Sequence, residues 1–425
     1  MTPSTATAAS KKTAARNTPR ASAMLLLAGL ALCSAGCTSV QRQLMRFHQR
    51  ESRPGQTHIR EPVTTIPALI EANYFIVEVK WDKHGPWRFI IDTGSSVTLL
   101  SPEYVKRYPG AKKDGDSARA INVRSAGGGM QKLPRANVHI IKLGAAQFHN
   151  VPVLVHDFAD LSAHFGKRID GIIGFPLFRD TVFALDYPQS RLVISRRSAA
   201  AQSGAPPAHA TTVKFNNEIR APIIPARLDG ETFTLLIDSG SDGALVLNPH
   251  GLKPEFSQAP RTGALIGSIL GDRMQEVGRL ATPLRIGDTT IENPVVDITD
   301  QLSTVGGEIL KHYCLVFDPR QGTVTFQPES ASGAPLALGP QRSPGISFTK
   351  TPAYWRVASV VPGSPAEAAG VQVGDIVARI NGEPVSAWHL CRYDTTVRNA
   401  SDITYTFVQG SRENPVVIPV FDLVR

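Results

Sequence analysis

The sequence predicts a mainly β protein: one lobe present twice, then a smaller C-terminal domain. Three observations predict it. Glycine (35) and proline (32) are frequent among 425 residues, while Phe, Tyr and Trp number only 17, 8 and 4. That balance favours turn-rich strands over long helices. An apolar run ending in Asp-Thr-Gly-Ser recurs once, as an apolar run ending in Asp-Ser-Gly-Ser. No helical period longer than about two turns runs through either copy. At about 150 residues per domain the length fits roughly three domains, and 42% apolar residues against 19% charged suffice to give each a core.

The first 36 residues read as an address. Residues 1–22 are basic and rich in Ser, Thr and Ala, and the apolar run Ala23 to Cys33 follows. It is shorter than the about 20 residues that span a bilayer, and the pattern is that of a secretory signal. The run ends Leu32-Cys33-Ser34-Ala35-Gly36-Cys37. Small residues directly before a cysteine resemble the lipobox of bacterial lipoproteins, with Ser34 where Leu is usual. The resemblance implies cleavage before Cys37 and lipidation of Cys37. With Thr38 next rather than Asp, it also implies sorting to the periplasmic face of the outer membrane. Acyl chains would hold the protein at the cell envelope without spanning the membrane. The alternative is an ordinary signal peptide with Cys37 a bystander.

The net charge is +9, but Lys11, Lys12, Arg16 and Arg20 lie in this leader. The other basic residues are scattered, apart from Arg42, Arg46, Arg50 and Arg53 just after it. No basic stripe with interleaved aromatics occurs, which argues against nucleic acid as a partner. Cys33 leaves with the leader. Cys314 and Cys391 fall in different domains and are expected as buried free thiols, a disulfide between them staying open. No Cys pair or His cluster has metal-ligand spacing, so neither metal nor cofactor is expected.

The repeat keeps its order over many landmarks. Phe89-Ile-Ile-Asp92-Thr93-Gly94-Ser95 matches Leu235-Leu-Ile-Asp238-Ser239-Gly240-Ser241. Downstream, Met130-Gln131 matches Met274-Gln275, Lys142-Leu143-Gly144 matches Arg285-Ile286-Gly287, and Asn150 and Asp157 match Asn293 and Asp300. Leu185-Asp186-Tyr187 matches Phe317-Asp318-Pro319. The shrinking offset is what loop deletions leave in a duplicated domain. Each copy opens as a hairpin: Phe75 to Trp81 with Trp87 to Ile91, and Pro225 to Leu228 with Thr232 to Ile237.

An aspartate at the end of an apolar strand, followed by Thr/Ser-Gly, sits on a tight turn whose N–H groups can face its carboxylate. One such motif is an ordinary Asx turn. Two in matching positions of a duplicated domain can meet about a pseudo-two-fold axis. Carboxylates sharing a site hold one proton between them. One then acts as base on a water while the other protonates a carbonyl oxygen.

These residues resemble the catalytic motifs of aspartic proteases. Asp170-Gly171-Ile172-Ile173-Gly174 fits the family's apolar-apolar-Gly segment, and Val305-Gly306-Gly307-Glu308-Ile309-Leu310 fits it more loosely. The lobes are short and show no flap tyrosine, so the chain looks like the retropepsin-like branch with both lobes fused, over about residues 65–328. The resemblance implies two retropepsin-like β-barrel lobes in a pseudo-two-fold dimer, with Asp92 and Asp238 catalytic. Thr93 and Ser239 would lock the loops together over Gly94 and Gly240, and Ser95 and Ser241 would bond the outer carboxylate oxygens. Gly127, Gly128 and Gly129 would form one flap and Gly271 belong to the other. Asp242, four residues after Asp238, is expected to face solvent.

After a Ser/Ala/Gly/Pro-rich stretch come Pro362-Gly363-Ser364-Pro365-Ala366, Gly374-Asp375-Ile376 and Ile380-Asn381-Gly382. This pattern looks like a bacterial PDZ domain, which binds peptide termini by adding a strand to a sheet edge. Gly345-Ile346-Ser347-Phe348 resembles its carboxylate loop, and Trp388, Leu390 and Cys391 are expected on the helix flanking the groove.

The organisation expected is signal peptide 1–36, tether 37–64, lobe 1 65–197, linker 198–210, lobe 2 211–328, linker 329–344 and PDZ domain 345–425. The expected function is an aspartic endopeptidase acting on extended polypeptides at the cell envelope. A C-terminal peptide ligand of the PDZ domain is the second expected partner, and the membrane is met only through the lipid anchor. Two rivals stand beside it: a non-catalytic peptide-binding scaffold, and a protease held latent until the PDZ domain binds a ligand.

Overall fold

Strands dominate the computed structural model, and helices are short. It describes residues 55–110, 120–124, 130–200, 207–216, 221–268, 271–330, 332–351 and 353–425. The strand Tyr74–Val79 pairs on one side with Val63–Glu71 and on the other with Trp87–Asp92. The first turn carries Ala72 and Asn73 at φ 45° and 68°, the left-handed pair that a two-residue hairpin needs. Side chains alternate along Trp87–Asp92. Phe89 and Ile91 enter the main core, and Ile90 faces the other way. Gly171–Gly174 runs parallel to this strand with Gly174 opposite Asp92. A parallel pair requires a long crossover. Here the connection includes the hairpin Arg135–Leu143 with Ala146–Val155 and the helix Ala159–Phe165.

Lobe 2 repeats the construction. Ile223–Leu228 and Glu231–Ile237 form the hairpin that delivers Asp238, and Thr304–Val305 runs parallel to its second strand. Gly144 and Gly287 both sit at positive φ, 58° and 56°. The next N–H in each case, of Ala145 or Asp288, donates to a threonine hydroxyl, Thr64 at 3.0 Å or Thr211 at 3.1 Å. Asn150 and Asn293 both take left-handed φ, 51° and 39°.

The lobes join by main-chain pairing. Val182–Asp186 lies antiparallel to Tyr313–Asp318, with Phe183 opposite Phe317 and their rings stacked at 4.8 Å. Arg191–Ser195 and Thr323–Pro328 extend this sheet on either side. Its apolar side chains belong to a core cluster shared by both lobes.

The C-terminal domain has a five-stranded path from Ile346–Lys350 through Trp355–Val360, Ile376–Ile380 and Asp402–Gln409 to Arg412–Pro419. The helix Leu390–Asn399 packs Tyr393 and Val397 onto it. The Ser364 hydroxyl accepts from Glu367 N–H at 3.2 Å, with Pro365 at the first helical position. That explains Gly-Ser-Pro-Ala as a helix start: an N-cap, then a proline whose missing donor costs nothing.

Three segments depart from expectation. Gln56–Ile59, within the expected tether, pairs with Ala146–Val155. The strand is short and polar, so it carries no apolar signal, and the edge of its partner holds it. Within the expected second linker, Leu336–Ala337 pairs with Thr289–Glu292, and Leu336 and Leu338 pack on the main core. Gln341–Ser343 in turn pairs with Phe421–Val424. Trp388 lies outside the flanking helix, which begins after its cap His389. Cys314 and Cys391 are free thiols, half-buried and buried. The signal segment and Cys37 lie outside the described residues, among which no helix is long and apolar enough to cross a membrane.

Phe317 is fully buried where the lobes meet. Phe317→Ala is expected to cost about 3–5 kcal/mol, read as a lower urea midpoint, and a shift below about 1 kcal/mol would contradict this role for the junction.

Candidate active site

Asp92 and Asp238 stand at the ends of equivalent strands on facing loops. Ser95 N–H donates to Asp92 Oδ1 at 2.9 Å, and Gly240 N–H to Asp238 Oδ1 at 3.0 Å. The glycines make room across the divide. A Cβ on Gly94 would come 2.5 Å from Asp238 Oδ1, and one on Gly240 would overlap the Asp92 carboxyl. Only glycine permits this approach.

Four hydrogen bonds lock the loops reciprocally. Thr93 Oγ1 donates to Ile237 O at 2.7 Å and accepts from Ser239 N–H at 3.1 Å. Ser239 Oγ donates to Ile91 O at 2.7 Å and accepts from Thr93 N–H at 3.0 Å. Both side chains are buried, where an unmade hydrogen bond is costly. Behind each loop, Phe175 N–H donates to Ser95 O at 3.1 Å, and Gly307 N–H to Ser241 O at 2.7 Å. Gly174 and Gly306 admit this contact, since a Cβ on either would strike the loop carbonyls of Val97 or Gly243.

Burial, then the charge of Asp238, holds Asp92 well above the usual carboxylate range. Burial also raises Asp238, against the opposing pull of Gly240 N–H and Asp92. The two titrate as a pair. An upward shift means that one proton stays between them at a pH where free aspartates are ionised.

The hydroxyl of Ser95 is not on the outer carboxylate oxygen. It donates to Val97 O at 2.8 Å, and the Ser95 N–H is the group that reaches Asp92 Oδ1. Ser241 is tied in through its carbonyl, and among the described residues no bond from its hydroxyl to Asp238 is found. Asp242 does not face open solvent. It is half-buried, and its carbonyl accepts from Asn73 Nδ2 at 2.7 Å. The same Asn73 nitrogen donates to Glu308 at 2.7 Å, and Glu308 pairs with Lys311 at 2.8 Å. The Ala72-Asn73 turn of lobe 1 thus reaches into lobe 2 beside the dyad. Burial raises Asp242, and burial followed by Asp242 pushes Asp394 of the C-terminal helix up to about 7. Tyr74 sits among them. Burial, then Asp242, Asp238, Cys391 and Asp394, keeps its phenol protonated. Sequence reasoning missed Asn73, Tyr74 and Asp394. Only a turn-forming Ala-Asn pair marked the first.

Gly127, Gly128 and Gly129 lie outside the described residues, between the paired strands Ile121–Arg124 and Met130–Leu133. Gly271 pairs with Ser268 at the far end of the long hairpin Phe256–Ser268 with Gly271–Leu280. In the C-terminal domain Gly345 sits at φ 84° and its carbonyl accepts from Val361 N–H. Ile346 is buried, Ser347 Oγ accepts from Leu265 N–H of that long hairpin at 2.9 Å, and Phe348 packs on Tyr393. No group of three metal-binding side chains occurs among the described residues.

Residues 77–177 match the family model described as aspartyl protease, and residues 356–396 match that of a PDZ domain. The chain therefore joins an aspartyl-protease-like domain to a C-terminal PDZ domain. No curated protein matches it. Among solved structures, a PDZ domain protein from Parabacteroides distasonis is 20% identical, over 20% of this chain and 21% of its own, with a TM-score of 0.18. This chain thus spans about a fifth of that protein. The HtrA3 PDZ domain bound to a phage-derived ligand, FGRWV, is 25% identical over 20% of this chain and 88% of its own, again with a TM-score of 0.18.

Thr93→Val keeps the side-chain shape but leaves Ile237 O and Ser239 N–H without partners. It is expected to cost about 2–4 kcal/mol, and Ser95→Ala about 1 kcal/mol or less. Equal losses in urea unfolding would contradict the lock.

Proposed function

We propose that the protein is an aspartic endopeptidase that hydrolyses extended polypeptides with one water activated between Asp92 and Asp238. The observation that carries the reading is the pair of carboxyls on facing loops, brought together by the reciprocal Thr93–Ser239 bonds. The aspartyl-protease match over residues 77–177 supports it. In this reading the ionised carboxyl takes a proton from water as the oxygen attacks the peptide carbonyl. The protonated carboxyl gives its proton to the carbonyl oxygen. Collapse of the tetrahedral intermediate passes a proton to the leaving nitrogen. The long hairpin Phe256–Ser268 with Gly271–Leu280 would close over the substrate from lobe 2. We place the enzyme at the cell envelope, held through Cys37, with the PDZ domain recruiting or gating substrate.

The full chain and an Asp92→Asn variant are incubated with a mixed peptide library over about pH 3–7, the range in which a carboxylate dyad shares one proton. Cuts made by the wild type and lost in the variant are expected. Cuts that persist in Asp92→Asn would overturn the reading. So would the absence of cuts at every pH, also after the contacts of Lys350 Nζ with Ala163 O at 2.9 Å and of Arg398 with Glu308 at 3.1 Å are removed.

The pH profile follows from the upward shifts. At low pH both carboxyls are protonated and no base exists. As pH rises one proton leaves and the shared-proton state forms. When the second leaves, two anions face each other and the acid is gone. Because burial raises both groups, the rate is expected to fall only at a pH well above the titration of an ordinary aspartate. A rate that already falls through the range of an ordinary aspartate, about pH 4, would contradict the shared proton.

A further inference from the structure

Alternation along the strands of lobe 1 gives its sheet two apolar faces. Val77, Phe89, Ile91, Leu100 and Ile173 belong to the main core. Their neighbours Ile76, Ile90, Ile172 and Leu99 stand side by side on the opposite face, since Ile90 pairs with both Ile76 and Ile172, and Ile172 with Leu99. Ile90 is two residues before Asp92, so both project from the same side of the strand. This second face ends at the carboxyl of Asp92.

It is covered. Ile76, Ile90, Leu99 and Ile172 are at most 5% exposed, and the side chain that joins their cluster from the C-terminal domain is Cys391, itself 5% exposed. Cys391 stands in the first turn of the helix Leu390–Asn399 and Asp394 a turn later. Both ends of this region are fastened. Before the helix, His389 packs so closely on Gly166 that a Cβ there would come 2.6 Å from its ring, and Lys350 Nζ donates to Ala163 O at 2.9 Å. At the helix end, Arg398 pairs at 3.1 Å with Glu308, the residue bonded to Asn73 beside Asp242. Ten helical residues span about 15 Å, and this helix touches lobe 1 through Cys391 and lobe 2 through Arg398. A second apolar contact, Val361, Leu423 and Val424 against Val277 and Val295, holds the domain to lobe 2.

We propose that the helix Leu390–Asn399 is an intramolecular competitor of substrate. It packs Cys391 into the lobe 1 cluster that holds Ile90, two residues before Asp92, and fastens Arg398 to Glu308 of lobe 2, and a polypeptide gains that side only when the PDZ domain lifts. The proposal rests on the peptidase reading and specifies which surface the PDZ domain closes. Phe348 of the edge strand Ile346–Lys350 meets Tyr393 of the same helix edge to face at 5.6 Å. The wall of the PDZ groove is therefore also the element that docks on lobe 1.

The test reads the contact and its effect separately. The full chain, its Arg398→Glu and Lys350→Glu variants and the double variant are exposed to a maleimide, and modification of Cys391 is followed by mass spectrometry. Cleavage of the library peptides is followed in parallel. Wild-type Cys391 is expected to react at least tenfold more slowly than in the urea-unfolded chain. The double variant is expected to speed both labelling and cleavage at least tenfold. Adding Asp92→Asn should abolish cleavage and keep the gain in labelling. Wild-type labelling as fast as in the unfolded chain would overturn the docking. Cleavage equal in the wild type and in a variant whose Cys391 has become reactive would overturn the competition alone. No cleavage by any variant would overturn the peptidase reading, and with it the inhibitory meaning of the contact.

Discussion

Two carboxyl groups must be held together, and apart from a shared proton their chemistry opposes it. Each loses hydration, and each repels the charge of the other. The reciprocal bonds of Thr93 and Ser239 supply the constraint. Each hydroxyl ties its own loop to the carbonyl just before the opposite aspartate and accepts the N–H just after it. The loops cannot part without stranding four backbone groups and two hydroxyls, a cost of the order of several kcal/mol. The sheet through Phe183 and Phe317 sets the lobes at the spacing this lock requires.

The C-terminal domain has a similar logic of shared surfaces. Its own core is closed by Trp355, Tyr393 and Tyr405, yet it is not a bead on a string. It completes two apolar clusters that the lobes leave open, one through Cys391 and one through Val361, Leu423 and Val424. The long hairpin of lobe 2 meets it at Ser347 and again at Pro362, through Arg261. Movement of that hairpin and of the PDZ edge strand is therefore mechanically linked.

Local chemistry makes much of this legible in the sequence alone. The strands carrying Asp92 and Asp238 announce themselves by apolar runs ending in a turn-forming Asp-Thr/Ser-Gly, and the paired landmarks Gly144 with Gly287 and Asn150 with Asn293 mark equivalent left-handed positions. The C-terminal domain is legible because a helix cap, a proline and turn glycines fall at fixed places. What stays hidden depends on contacts between distant segments. Gln56–Ile59 becomes a strand only because an edge is available to it. Ser95 reads as a carboxylate ligand by analogy, but which of its groups reaches Asp92 depends on loop geometry. Asp242 and Cys391 read as a solvated acid and a groove residue. Asn73 of lobe 1 reaches Asp242, and the helix of Cys391 docks on the lobe 1 cluster around Ile90 and Ile172; no local pattern encodes either contact.

The crossed glycines have a genetic consequence. Gly94 leaves space for the carboxyl of lobe 2, and Gly240 for that of lobe 1. A side chain gained at either position does its damage in the other half of the chain. A suppressor of such a lesion would arise opposite the original change, where the displaced aspartate and its strand could shift. Although the halves read as copies, they are not free to drift as copies: each carries, in a residue with no side chain, the space reserved for its counterpart.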